Sequence, residues 1–183
     1  MSKIKKLLNT YEQFIKLPWR QDSAAEQRVI FCVYDQHDEL SLRAKTEEFE
    51  IVTKKAKHGW FLFDLTDTFA KWLSKNRYVK SYFAQPEIVQ TLTVNYLTFL
   101  VNEYQRFILE HEIGENDVVA LNGVASLFGL LKVKEVVDKV AKQTKGRLVV
   151  FFPGSFENNN YRLLDAYDGW NYLAVPITAE TQL

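Results

Sequence analysis

The sequence predicts an α/β fold in three layers: a doubly wound, mainly parallel sheet of about five strands with helices on both faces. Three observations predict it. Short, continuous apolar and β-branched runs recur along the chain, and such runs read as strands buried on both faces. Between them lie longer stretches with apolar residues at helical spacing. The 7 glycines and 4 prolines fall at the joints between the two kinds of segment. Strands alternating with helices imply right-handed crossovers and parallel neighbours, without fixing the strand order.

The elements follow in turn. Ile4, Leu8, Tyr11 and Ile15 form one stripe, predicting a helix over about residues 3–16 that Pro18 stops and that packs on the sheet. Residues 28–34 (RVIFCVY) read as the first strand. A helix is expected over about 38–57, with Leu42, Phe49, Val52 and Ala56 on one side, and with Gly59 suited to its left-handed end. Residues 60–65 read as the second strand, followed by a short helix that Thr66 or Asp67 caps and that carries Phe69, Trp72 and Leu73. Pro86-Glu87 suits the start of the longest helix, about 86–111, with Val89, Tyr96, Leu100, Tyr104 and Phe107 on its buried face. Residues 117–122 are the third strand, and Gly123 opens a helical region with a Val133, Val136, Val137, Val140 stripe that ends at Gly146. Residues 147–152 are the fourth strand, closed by Pro153-Gly154, and 171–177 the last. Asp168-Gly169 is a hairpin signal, so Tyr161 to Asp165 either pairs antiparallel with the last strand or forms a short helix.

A chain of 183 residues fits one domain, 1–183. Lys+Arg and Asp+Glu are both 23, and this zero balance excludes a protein that is basic all over and built to coat nucleic acid, though not a local basic face. The single cysteine, Cys32, excludes an intrachain disulfide framework and any multi-cysteine metal site, and fits a cytoplasmic location. The basic start, residues 1–9, lacks the apolar stretch of a signal peptide, and no run approaches the roughly 20 apolar residues that span a bilayer.

Ligands of open α/β sheets bind at the carboxyl ends of the strands. Here those ends carry Asp35, Asp64 with Thr66 and Asp67, Asn122-Gly123, and the segment from Pro153 to Asn160. Asp35, Asp64 and Asn122 are the candidate rim of a metal or phosphate pocket; the ordinary explanation of an acid after a strand is a cap. The Gly123–Gly129 turn has the context of a P-loop but not its spacing, and Leu130-Leu131 stands where a phosphate loop needs Lys and Ser or Thr. No dinucleotide fingerprint, zincin motif or nucleophile elbow occurs, and His37, His58 and His111 are too scattered for a zinc set. Cys32, mid-strand, reads as a buried, inert thiol. No catalytic, cofactor-binding or metal-binding residue is therefore assigned.

Two basic sets are candidate nucleic-acid faces. Lys71, Lys75, Arg77 and Lys80 are interleaved with Trp72, Tyr78, Tyr82 and Phe83; Lys132, Lys134, Lys139, Lys142, Lys145 and Arg147 are diluted by Glu135 and Asp138. The densest stretch is the last third. There Asn159, Asn160, Tyr161, Arg162, Asp165, Trp170 and Tyr172 are the candidate protein–protein contact surface, if exposed, and core if buried. Arg162 and Asp165 are placed to pair.

Several stretches in one order resemble the BrxB family of BREX bacteriophage-exclusion systems. They are Leu17-Pro18-Trp19, Tyr34-Asp35, Gly59-Trp60 leading to Asp64-Leu65-Thr66, Pro86-Glu87, the Gly123–Gly129 turn, and the long block from Gly146 to Ile177 containing Asn159-Asn160-Tyr161-Arg162-Leu163-Leu164-Asp165 and Gly169-Trp170-Asn171-Tyr172. The resemblance implies a small core component of a phage-defence system; the family has no assigned catalytic residues, so none is carried over, and no cofactor is expected. It also implies partners among the other components: the large ATPase BrxC, the alkaline-phosphatase-like PglZ and the methyltransferase PglX.

Overall fold

A computed structural model describes residues 2–20, 22–85, 87–166 and 169–181; of Phe83, Val89 and Gln90 it describes the backbone only. Helix α1, Lys3–Ile15, starts at Ser2, whose Oγ accepts from the Lys5 amide at 3.3 Å. Strand β1 is Val29–Tyr34, followed by α2, Glu39–Arg43, α3, Thr46–Lys55, and β2, Gly59–Asp64. Helices α4, Thr68–Ser74, α5, Val79–Ala84, α6, Glu87–Thr91, and α7, Thr93–Glu110, lead to β3, Asp117–Asn122. Then come α8, Val133–Gln143, β4, Arg147–Glu157, β5, Asn160–Leu163, and β6, Val175–Ile177.

The sheet order is β2-β3-β4-β1-β6, with β5 paired to β4. Every neighbouring pair in the main path is parallel; β4–β5 is antiparallel. The expected α/β class with a mainly parallel sheet is the one observed, with six strands. Alternate residues of the central strands feed two cores. Ile30, Cys32, Val149 and Phe151 face α1, α2 and α3 through Leu7, Tyr11, Leu42 and Phe49. Phe31, Val119, Leu121, Val150 and Phe152 face α7, α8 and β5 through Leu100, Tyr104, Val136, Val140 and Tyr161.

Four local expectations change. The helix expected over 38–57 is two helices, broken at Ala44-Lys45; Leu42, Phe49 and Val52 still share one buried face across the break, so periodicity hides it. The long helix is broken at Leu92, and its predicted start at Pro86 and the side chain of Val89 lie outside the described residues. Pro153-Gly154 does not close β4. The strand changes partner there, from β1, with Tyr34 opposite Pro153, to β5, with Gly154 opposite Leu163. The hairpin therefore joins β4 to β5. Its turn is Asn158-Asn159, at φ 50° and 62°, the left-handed pair that a two-residue turn between twisted strands requires. Of the pairing expected further on, a single antiparallel bridge forms, Tyr161 to Trp170; Asp168 lies outside the described residues. The last strand is correspondingly short, three residues beside β1.

Gly59 also has another role than the one expected. Lys57, at φ 67°, takes the left-handed position, and Gly59 is the first residue of β2. A Cβ on Gly59 would lie 2.0 Å from Asp117 Oδ1, and one on Gly146 would lie 2.0 Å from the Asp117 carbonyl oxygen. Two glycines, one opening β2 and one just before β4, thus make room for Asp117, whose Oδ2 accepts from the Gly114 amide at 2.7 Å.

Candidate functional site

Chain direction locates the cleft. From β1 the chain passes to α2 and α3 on one face of the sheet; from β4 it passes to β5, whose Tyr161 and Leu163 belong to the opposite core. Connections leaving adjacent strands toward opposite faces open a crevice at their carboxyl ends. That crevice is a cavity of about 750 Å³, lined by Lys3, Asp35, His37, Ser155, Arg162 and Asp165 among others.

Asp35 caps the turn that follows β1. Its Oδ1 accepts from the His37 amide at 3.0 Å and meets His37 Nδ1 at 2.7 Å, with Lys3 Nζ 4.0 Å from Oδ2. The His37 amide first, then its ring, hold this exposed carboxyl below the usual carboxylate range. Gln36 Nε2 donates to Asp165 Oδ2 at 2.8 Å. The expected Arg162–Asp165 pair does not form: Asp165 lies beyond the end of β5, and its carboxylate accepts from Gln36.

Asp64 and Asn122 lie opposite each other on β2 and β3, with Asn122 Nδ2 donating to Asp64 Oδ2 at 3.5 Å. Asp35 stands apart from both, since β4 separates β1 from β3. The three rim candidates thus divide into a pair and a single residue. Asp64 Oδ1 accepts from the Thr66 amide at 2.8 Å and from Thr66 Oγ1 at 2.5 Å. Arg43 Nη2 donates to Thr66 Oγ1 at 3.1 Å and Arg43 Nε to Glu39 Oε1 at 2.7 Å, while the Tyr34 hydroxyl donates to Glu39 Oε2. This chain of bonds ties α2 across the ends of β1, β2 and β3. Gly123, at φ 73°, turns beneath it: a Cβ there would lie 2.4 Å from Thr66 Oγ1. Nothing in the sequence marks Glu39 and Arg43 for this network; an acid and a base four apart on a helix usually pair with each other in solvent.

Burial raises the Asp64 carboxyl, but the Thr66 bonds, Arg43 and Asn122 outweigh it, and its pKa lies below the usual range. The unfolded chain ionises near about 3.9. The resulting stabilisation is complete above that value and is lost as pH falls through the lower folded-state pKa. Asp64→Asn is therefore expected to lower stability at pH 7 by less than about 1 kcal/mol, since the group is partly exposed, and to converge with the parent protein in acid. Thermal melts from pH 7 down to pH 2 check this; a difference constant with pH excludes the linkage.

Among the described residues, no three His, Cys, Asp or Glu side chains are grouped to hold a metal ion. Cys32 is fully buried in β1, and burial pushes its thiol up. The turn opened by Gly123 leads into a 3₁₀ turn, Val124–Leu127, with Val124 and Leu127 buried, so apolar packing fills the place of a phosphate cradle.

The contact-surface candidates split. Tyr161 is 0% exposed, ringed by Phe31, Phe152, Phe156 and Trp170, and so belongs to the core. Asn159, Asn160, Arg162 and Asp165 are exposed, and Trp170 and Tyr172 half-buried. Beside them lies a second cavity of about 770 Å³, lined by Glu26, Lys134, Asp138, Phe156, Tyr172 and Leu173 among others. The Tyr172 hydroxyl is buried, and burial first, then the charge of Asp138 and a hydrogen bond with it, then Glu26, raise its pKa. Leu173 is 77% exposed at the cavity's edge. Sequence reasoning missed Leu173 because one leucine within a predicted strand carries no signal of exposure.

Lys71, Lys75, Arg77 and Lys80 are all exposed. Lys75 Nζ sits 5.2 Å from the Phe99 ring centre, and Trp72 is buried against Phe69 and Tyr96. Tyr78 is exposed and Tyr82 half-buried, while the side chain of Phe83 lies outside the described residues. Among the described residues no helix is long and apolar enough to cross a membrane.

Comparison with known proteins gives one finding. A family model described as BREX protein BrxB matches residues 62–177, well over half of the chain. The match runs from β2 through β6 and includes Asp64, Asn122, the β4–β5 hairpin and Tyr172. No curated protein and no solved structure matches. The chain belongs to the BrxB family and is thereby a component of a BREX phage-defence system.

Proposed function

We propose that this BrxB family member acts as a non-catalytic assembly subunit, docking a polypeptide segment of another BREX component in the cavity beside the β4–β5 hairpin. One observation carries this: the cavity joins a solvent-facing leucine, Leu173, to the half-buried rings of Phe156 and Tyr172. Removing exposed apolar side chains from water favours association. The matching segment carries an apolar side chain for Leu173, Phe156 and the Tyr172 ring. Asn159, at the hairpin turn, lies on the cavity rim, and Arg162 on β5 extends the surface toward the first cleft. The partners of this reading are the BrxC-like ATPase, the PglZ-like phosphatase-fold protein and the PglX-like methyltransferase.

The test is co-purification with each tagged partner. Leu173→Asp and Arg162→Ala are expected to lower recovery about tenfold or more, as central contact residues do, with melting temperatures unchanged. Recovery unaffected by both substitutions places the contact elsewhere and sinks the reading.

A further inference from the structure

The amino ends of the strands carry a further polar cavity, of about 560 Å³, at the opposite end of the sheet from the cleft beside Asp35. Its walls hold five basic side chains, Lys16, Arg20, Arg28, Lys145 and Arg147, against one carboxylate, Glu115. Lys16 pairs with Glu12 at 2.7 Å. Among the described residues the other four cations make no ion pair, and neither does Glu115.

These cations are held in place by neutral groups. Arg28 Nη1 donates to the Lys145 carbonyl at 3.2 Å, and Arg147 Nη2 to the Arg20 carbonyl at 3.3 Å. The Arg147 guanidinium lies 4.8 Å from the Trp19 ring centre, and His58 stacks on the same indole at 3.7 Å. His58 is oriented by Asn116, 2.8 Å from its Nδ1. Arg28 Nε is buried with no partner. Burial, then the charge of Arg28, pull Arg147 below the usual arginine range. Two guanidiniums that line one cavity, neither paired with a carboxylate, form an arrangement that an anion completes.

From this geometry we infer that the strand amino-end cavity binds a phosphate ester, bridged between Arg28 and Arg147 with Lys145 and Arg20 at the rim. The planar guanidinium forks match phosphate oxygens. The Trp19 ring already carries His58 and Arg147, and the Asn116 amide bonds His58 and the Lys57 carbonyl, so neither is spare to stack on or read a base. Recognition is therefore of the phosphate and independent of base sequence. The site shares no residue with the proposed docking surface, and each stands or falls alone.

The test measures binding of pyrophosphate by calorimetry, and of labelled single-stranded and duplex DNA 20-mers by anisotropy, in low salt. Binding of any of these is expected, weakened about tenfold or more by Arg28→Gln with Arg147→Gln, and less by Lys145→Gln, whose exposed side chain tests the rim without disturbing the fold. The pyrophosphate and DNA arms separate a free phosphate from a polynucleotide backbone; for DNA, the double substitution also flattens the salt dependence by about 1–2 units of log–log slope. Lys5→Gln, an exposed residue at the far end of α1 from Lys16, is the control and leaves binding unchanged. Absence of binding by all three probes overturns the inference, and so does binding that both Lys145→Gln and the folded double variant leave intact. Capture of a poly-glutamate peptide in place of the phosphate probes overturns it as well.

Discussion

Gly146→Ala is expected to destabilise the protein by about 3 kcal/mol, the upper end of what overpacking a closed core costs. The added Cβ would stand 2.0 Å from the Asp117 carbonyl oxygen and 3.0 Å from that residue's backbone carbon and nitrogen. Asp117 has no route of retreat. It pairs with Gly59 on β2, the next residue pairs with Arg147 on β4, and its carboxylate is fixed to the Gly114 amide. Movement away from β4 drives it into β2, where Gly59 is already required for the same reason. Gly146 does not adopt a left-handed φ, so the loss measures space alone. Gly129→Ala supplies the contrast: its φ is 75°, but nothing lies within 4 Å of the added methyl. That variant carries only backbone strain, about 1 kcal/mol. For a chain of this size, thermal melts should show a drop of about 6–12 °C for Gly146→Ala and a few degrees for Gly129→Ala. Equal drops would mean that the strands part at Asp117 without resistance, contrary to the packing described.

What the sequence disclosed, and what it concealed, follows from how burial is written in residues. β1, β3 and β4 were legible because a strand covered on both faces is a continuous apolar run, as in 29–34 and 118–121. The break at Ala44-Lys45 was not, since Leu42, Phe49 and Val52 share one buried face across it, and neither that break nor the one at Leu92 is marked by proline or glycine. Pro153-Gly154 misled because the pair usually ends a strand. Here it marks a change of partner, with Gly154 letting the β5 backbone approach. Caps are local, and Asp35 and Asp64 do what an acid after a strand commonly does, each bonding an amide two residues on. Sites assembled across strand ends are not local. The cation cavity draws on Trp19, Arg28, His58 and Arg147, which no spacing connects, and only the parallel register brings them to one edge.

Tyr161→Ala is expected to be the most destabilising single substitution in the hairpin, at about 3–5 kcal/mol for deleting a buried aromatic ring. The ring sits 4.5 Å from Phe31, 4.6 Å from Phe156, 5.4 Å from Trp170 and 5.9 Å from Phe152, centre to centre. It joins the sheet to the hairpin and to the segment beyond it. The backbone of the same residue exchanges two bonds with Trp170, at 2.8 and 3.0 Å, so loosening the ring also frees the adjoining 171–174 wall of the docking cavity. Tyr161→Phe keeps the ring and removes only the 3.3 Å bond to the Ala174 carbonyl, and should cost about 1 kcal/mol. Because side chains alternate along β5, Arg162 points away from this cluster and is exposed. Melting and partner recovery therefore separate the two residues. Tyr161→Ala should lose both stability and partner binding, and Tyr161→Phe should keep binding, whereas Arg162→Ala should keep stability and lose binding. A Tyr161→Ala variant that melts within about 2 °C of the parent would show that the aromatic cluster does not anchor the hairpin, and the docking cavity would lose its structural basis with it.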